Sequence, residues 1–495
     1  VAGRRATQVL RTPSLLVATT LVVLVVVCYL WVNPSNPPGF HQDEAAIATN
    51  ALSIAETGRD QYGAWLPLFF RSFDDYKSPE FVYLLAGAFR VTGPSQTVAR
   101  GFGALLVLAA VAALALLALR LTGSRRVAVA TFVLAGTTAW LYEIGRLALE
   151  ATLEPLLIVM LLLLIERCHR EDRWTARRGA LTGLALGAIT YSYAAGRLYA
   201  PLLALCVPLA SGIRRVRFLA AAWGVFCAAL VPFGVYALRH PGALSKRLDD
   251  TSFVEDGMSW ADIAREAVGN YLGYLDLPHW VRHGDGIVTF HVPGAGSLPL
   301  VVAVLAVAGA LVLLVRSEFG GFWRFALAAT LLGPVPAALT DAEFHSLRAL
   351  PLVVGLLAFT IPALAALDRA VRERRPWAVP TVLVLTVVWA AWLAQFTRTY
   401  HARGPDRRFD SAVPGFVARA LAAEPRLYTA PGDLIAVAHA RWYGDLHDVP
   451  RDRIVNLPAG ARPPSGSIVF GTDYECGFPC TVVDAVGSNW LARAS

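Results

Sequence analysis

Between His41 and Tyr83 the chain gathers His41, Asp43, Glu44, Asp60, Asp74, Asp75, Lys77 and Glu80, with Tyr62, Trp65, Tyr76 and Tyr83 among them. The whole sequence is 56% hydrophobic and only 16% charged, so this density calls for a chemical reason. A carboxylate here could take a proton from a reacting hydroxyl. A lysine next to a helix N-terminus could hold an anion. Each residue also has a plainer reading. Asp43-Glu44 opens a short helix with Ile47, Ala48, Ala51, Ile54 and Ala55 on one face and Gly58 as its stop. Aspartate is a favoured N-cap, so Asp43 either holds that helix start or does chemistry. Pro79 suits the first turn of a second amphipathic run, Glu80 to Phe89. Lys77 just before it either pairs with Asp74 or Asp75 or binds an anion. Such helices are expected to lie along a membrane interface.

The elements that must position these residues are mostly apolar. Runs of roughly 20 apolar residues, enough to cross a hydrocarbon core, recur along the 495 residues. The first covers about 14–32. It is longer than a signal-peptide core and is followed by Asn33-Pro34-Ser35-Asn36-Pro37-Pro38, so a retained span is expected. Others fall at 98–119, 126–141, 153–166, 179–193, 198–213, 217–238, 298–315, 322–340, 348–367 and 377–396. The expectation is an all-α polytopic membrane protein with about eleven spans.

Arginine gives the frame. Arg4, Arg5 and Arg11 precede the first run. Arg120/Arg125/Arg126, Arg167 to Arg178, Arg214/Arg215/Arg217, Arg316/Arg324 and Arg369 to Arg375 fall in every second connection. The positive-inside rule then places the N-terminus in the cytoplasm and the C-terminal segment outside. The same clustering explains the net charge of +8 without nucleic acid. Residues 33–97 form the first extracytoplasmic loop and 239–297 a large later one, both within a membrane domain of residues 1–396.

Outer loops carry single arginines beside aromatic residues: Arg197 after Tyr191 and Tyr193, and Arg348 after His345. They either snorkel to headgroups or face an anionic ligand such as a phosphate. Arg146 and Glu150 are spaced as one helical turn, with Glu154 a turn further, and read as a pair. The histidines show no metal-ligand spacing, and no phosphate-binding glycine loop or Gly-x-Ser-x-Gly elbow occurs.

Residues 397–495 read as a small extracytoplasmic α/β domain. Ser411 to Ala423 is helical in pattern, and short β-like runs cover Leu434–Ala438, Arg453–Leu457, Ile468–Phe470 and Thr481–Val483. Cys476 and Cys480 are either two free thiols or, outside the cytoplasm, a small disulfide loop.

Phe40-His41-Gln42-Asp43-Glu44 followed by Asn50-Ala51 and Thr57-Gly58-Arg59-Asp60 resembles the first loop of GT-C glycosyltransferases. The likeness is to bacterial relatives of protein O-mannosyltransferases and of lipid A aminoarabinose transferases. Tyr76-Lys77-Ser78-Pro79…Tyr83-Leu84…Gly93-Pro94-Ser95…Ala99-Arg100 is similar to their Lys-Pro-Pro-Leu-x-Tyr segment and following Arg, with Ser78 for a proline and Glu80 for the leucine. Tyr191 to Pro201 and Leu339 to Pro351 are similar to later segments.

The resemblance implies a GT-C fold and a sugar donor carried on polyprenyl phosphate. The acceptor would be a hydroxyl of a lipid, polysaccharide or protein at the outer membrane face. It implies Asp43 as catalytic base with Glu44 beside it, and Lys77, Arg197 and Arg348 on the donor phosphate. Tyr76, Tyr83, Tyr191, Tyr193, His345 and Glu150 are expected to line the substrate pocket. Some members bind a divalent cation in this region, and no metal ligand is assigned here. A transporter or flippase without bond chemistry is the alternative; it would place its charges at midplane helix breaks rather than in outer loops.

Overall fold

The computed structural model describes residues 11–31, 36–73, 75–404, 409, 411–472 and 476–495. Asp74, Arg4, Arg5, Asn33, Pro34, Ser35 and position 410 lie outside the described residues.

In chain order the helices and strands begin with α1 (Arg11–Leu30), α2 (Gln42–Thr57), β1 (Phe70–Ser72), β2 (Asp75–Lys77), α3 (Pro79–Thr92) and α4 (Gln96–Thr122). Then come α5 (Arg125–Gly136), α6 (Ala139–Gly145), α7 (Glu154–Arg170), α8 (Ala176–Ser192), α9 (Gly196–Ser211) and α10 (Val216–Arg239). The large loop holds α11 (Lys246–Thr251), α12 (Trp260–Tyr274) and α13 (Leu277–Arg282). Next are α14 (Leu300–Val315), α15 (Gly321–Leu332), α16 (Val335–Ala338), α17 (Leu350–Arg372) and α18 (Ala378–Arg403). The tail holds α19 (Val413–Ala423), β3 (Leu427–Thr429), α20 (Leu434–Leu446), β4 (Ile454–Asn456), β5 (Ile468–Gly471), β6 (Cys480–Val486) and β7 (Asn489–Ala494).

Nine of the eleven apolar runs expected from the sequence fall mainly on one helix each, and the other two are each split between two helices. Among the described residues, α4, α10, α17 and α18 are long and apolar enough to cross a membrane. A fifth span is possible if α5 and α6, bent by 63°, count as one. The break in the expected 126–141 run falls at Thr137-Thr138, where Thr138 is the N-cap of α6. The expected run 322–340 likewise ends at Leu332 and resumes as the single turn α16.

The chain divides into two compact units: residues 1–31, 103–146 and 150–403, and residues 32–102, 147–149 and 404–495. In the first, Gly179, Gly183 and Gly187 recur every four residues on α8. A Cβ at Gly183 would stand 2.3 Å from the Ala222 carbonyl oxygen on α10. The small residues let the two helix backbones approach this closely. The large loop is fastened at α6. Trp140 stacks on Trp280 with centroids 4.0 Å apart, and the Glu143 carboxylate accepts from Val292 N at 2.8 Å.

Arg146 does not sit one helical turn from Glu150, because α6 ends at Gly145 and 146–149 is non-helical. Its guanidinium instead donates to Tyr400 Oη (3.0 Å) and to the carbonyls of Cys28 and Trp31 (3.0 Å each).

In the second unit the first loop packs with the C-terminal residues. α2 is buried continuously from Glu44 to Ser53, so it is not an interfacial amphipathic helix. α3 covers one side and α20 another. Trp442 of α20 stacks on both Phe40 and Phe89, at 5.4 and 5.9 Å. A one-faced pattern could not announce this, because the second cover comes from nearly four hundred residues away.

The C-terminal sheet has the order β4-β3-β5-β7-β6. β3 is parallel to both β4 and β5, and β7 is antiparallel to β5 and β6. Residues Leu434–Ala438, expected as a strand, open helix α20 instead. Asp433 caps it by accepting from Ala436 N at 2.9 Å. The short apolar run fits either period, and the cap with the helix-forming Ala438-His439-Ala440-Arg441 beyond it decides for the helix. β3 and β7 were not foreseen. Cys476 and Cys480 are joined as a disulfide.

Candidate active site

Asp43 is not the N-cap of α2. That place is taken by His41, whose Nδ1 accepts from Asp43 N at 3.3 Å. Glu44 completes a capping box by accepting from His41 N at 2.9 Å. The reading of Asp43 as a mere cap therefore falls away. Its carboxylate is 19% exposed and lies 3.0 Å from Lys77 Nζ.

Lys77 is brought there by the β1–β2 hairpin, which pairs Phe70 with Lys77, Arg71 with Tyr76 and Ser72 with Asp75. Alternation sends Lys77 and Tyr76 to opposite faces. The Lys77 side chain is only 8% exposed, and Asp75 Oδ2 stands 3.5 Å from its ammonium. The ammonium thus sits between two carboxylates at the entrance of α3, whose first residue is Pro79.

Glu44 is spent differently. It is fully buried with Arg100 and accepts from Arg100 Nε (2.9 Å) and Nη2 (2.7 Å) and from Ala148 N (2.9 Å). Burial alone would raise its carboxyl pKa; the adjacent guanidinium and the backbone donors outweigh that and hold it below the usual range. Arg100 also donates to the carbonyls of Pro37 (2.6 Å) and Gly39 (2.5 Å). Phe40 and Phe409 stand near its guanidinium, at 5.3 and 5.4 Å. This network fixes the first turn of α2 and hence the backbone of Asp43. Neither the Glu44–Arg100 pairing nor the role of Ala148 is visible in sequence spacing.

Tyr83 does not present a free hydroxyl: it donates to the Pro67 carbonyl at 2.7 Å, and its ring lies edge-on to Phe70. Burial pushes its pKa up to about 12. Glu80, on the first turn of α3, is raised to about 7 by burial.

The first unit gathers its own group of expected residues. Arg348 has a buried Nη1 without a hydrogen-bond partner among the described residues. Its charge acts on Tyr193 and His345, as does that of Arg247, while Glu150 also acts on Tyr193. His345 stacks on Phe290 and lies 3.8 Å from Asp285. Burial, then Arg348 and Arg247, hold its pKa well below that of free imidazole.

Asp285 accepts from Ser346 N (2.6 Å) and Ile287 N (2.7 Å), and burial raises it to about 6. Arg247 and Asp285 were missed. Their only sequence signal was charge within the large loop. Two further expected residues make hydrogen bonds to the backbone. Tyr191 Oη donates to the Ala229 carbonyl and accepts from Phe233 N. Arg197 Nη1 donates to the Leu244 carbonyl at 3.1 Å. Among the described residues no three His, Cys, Asp or Glu side chains are arranged to hold a metal ion.

The fold is similar to those of two solved proteins at low sequence identity, and four helices among the described residues are long and apolar enough to cross a membrane. ArnT from Cupriavidus metallidurans in the apo state matches with TM-score 0.60 and 14% identity over 97% of this chain and 98% of its own. The same protein bound to undecaprenyl phosphate gives TM-score 0.58 and 14% identity over the same shares. The oligosaccharyltransferase AglB from Archaeoglobus fulgidus, in complex with an inhibitory peptide and a dolichol-phosphate, gives TM-score 0.50 and 13% identity over 89% of this chain, which spans 64% of that protein. No protein-family model and no curated protein matches the sequence.

Proposed function

We propose that the protein is an inverting glycosyltransferase that moves a sugar from a polyprenyl-phosphate donor to an acceptor hydroxyl at the extracytoplasmic membrane face. The observation that carries this reading is the part-exposed Asp43 carboxylate, free of capping duty, 3.0 Å from the buried Lys77 ammonium. The donor phosphate takes Lys77 and draws the ammonium away from Asp43. The freed carboxylate then accepts the proton of the acceptor hydroxyl as its oxygen attacks the anomeric carbon. The bond from that carbon to the phosphate oxygen breaks, and its electron pair leaves with the polyprenyl phosphate, whose charge Lys77 balances. One base and one displacement invert the anomeric centre. Glu44 and Arg100 position Asp43 without touching the reacting atoms. Arg348 and Arg247 form a separate cationic group suited to an anion.

Purified protein given polyprenyl-phosphate sugars and membrane acceptors is expected to release polyprenyl phosphate. Failure with every donor would sink the reading, and movement of intact donor across vesicles would replace it by transport. Lys77→Met is expected to weaken donor binding about 10- to 150-fold, the worth of a hydrogen bond to a charged group. Equal donor affinity in the variant would remove Lys77 from the phosphate.

The proposed frame has eleven spans with the N-terminus in the cytoplasm and the C-terminal domain outside. A cysteine placed at position 410 is expected to react with an impermeant maleimide on intact cells. Reaction only after permeabilisation would reverse the frame.

A further inference from the structure

The C-terminal sheet carries a cavity of about 560 Å³ that the transfer reaction does not use. Its walls include Asp433, Arg462, Thr472 and Phe478, with Gly460 and Gly477 between them. The place follows from the topology. From β3 the chain passes through α20 to β4 on one side, while β5 lies parallel on the other. In open α/β sheets, ligands sit outside the carboxyl ends of the strands where the order reverses. Ala430 to Asp433 follow β3 and Thr472 directly follows β5 there, and the volume lies within the ~300–1,000 Å³ of small-molecule sites.

The chemistry of the walls selects the ligand class. A helix N-terminus at such a point would ordinarily welcome a phosphate. Here Asp433 already occupies the first turn of α20, accepting from Ala436 N (2.9 Å) and from Thr472 N (2.7 Å) and Oγ1 (2.9 Å). A second anion would meet this carboxylate. Opposite in sign stands Arg462, exposed and with no hydrogen bond or ion pair among the described residues, so the two charged groups among the described wall residues sum to zero. Phe478 offers a half-buried ring whose centroid lies 6.1 Å from that of Trp490. A Cβ built at Gly460 or Gly477 would meet nothing within 4 Å, so the cavity is open beside them.

A carboxylate to accept from hydroxyls, a guanidinium to donate to them and one aromatic face for a C–H surface match a neutral sugar. We propose that this cavity binds one or two units of a neutral saccharide chain. The site is a binding site separate from Asp43 and Lys77, and it asks nothing of the donor.

The test is direct binding to the full-length protein in a detergent without a sugar headgroup, followed by saturation-transfer NMR. The probes are maltotriose, cellotriose, mannotriose and galactotriose, with inorganic phosphate and a glucuronic acid trisaccharide as anionic controls. At least one neutral trisaccharide is expected to bind with Kd of about 1 mM or tighter. Arg462→Ala is expected to weaken it about tenfold or more, as loss of a charged hydrogen-bond donor. Gly477→Leu, which places a side chain in the open space, is expected to weaken it at least as much. Thermal unfolding should stay unchanged in Arg462→Ala. The proposal is overturned if no neutral trisaccharide binds, if the anionic probes bind more tightly, or if both variants bind like the unaltered protein. No polyprenyl donor is present, so the result does not depend on the transferase reading.

Discussion

Asp43→Asn is expected to lower turnover by about 10²–10⁴, the usual worth of a positioned general base. That corresponds to about 3–5 kcal/mol of transition-state stabilisation. The same variant is expected to hold polyprenyl phosphate at least as tightly as the unaltered protein. An amide keeps the shape of the side chain but removes the negative charge that lies 3.0 Å from Lys77 and that, in the proposed mechanism, competes with the phosphate for it. This pairing of effects separates a base from a binding residue: Lys77→Met loses donor affinity, whereas Asp43→Asn loses rate and keeps it. Single-turnover release of polyprenyl phosphate and equilibrium binding of the lipid, measured on one preparation, decide the matter. Turnover within threefold of normal would exclude Asp43 as the base, and weaker lipid binding in the variant would contradict the competition with the phosphate.

Arg100→Met is expected to destabilise the second unit by about 3–5 kcal/mol, the cost of leaving one member of a buried ion pair alone. Both side chains are fully buried, so water cannot take the place of the lost guanidinium. The carbonyls of Pro37 and Gly39 lose their donor as well. Arg100→Met combined with Glu44→Gln is expected to recover part of the loss, since no uncompensated charge then remains. Equilibrium unfolding in mixed micelles, followed by tryptophan fluorescence, measures both. A change below about 1 kcal/mol, the range of exposed pairs, would show that the Glu44–Arg100 contact is not a buried pair in the membrane-bound protein.

The linkage of Glu44 has a definite sign. Its carboxyl pKa is lowered in the folded state, so its contribution is present above the ordinary carboxylate pKa. That contribution is lost as pH falls through the depressed folded value.

Much of this protein is legible along one dimension. The apolar runs, the arginine-rich connections and the cluster around Asp43 and Lys77 are local features. Each is read from residue type along one continuous stretch of chain and from the length a helix needs to cross lipid. The disulfide of Cys476 with Cys480 belongs to the same class, being closed within five residues.

What tertiary structure alone decided are the partners. Asp43 reads as a cap until His41 is seen to fill that place. Glu44 reads as a second acid until Arg100, 56 residues on, and Ala148, 104 residues on, are found around it. α2 reads as amphipathic until α20 closes over its other side. Leu434–Ala438 reads as a strand until the Asp433 cap and the continuation to Leu446 are weighed together. For Glu44 and α2 the reason is the same. Residue type and spacing determine which side chains can do chemistry, but a carboxylate becomes a base, a cap or half of a buried pair according to what long-range packing sets beside it. The Asp43–Lys77 pair crosses that divide: both residues stand out in the sequence, and only the β1–β2 hairpin brings the ammonium onto the carboxylate.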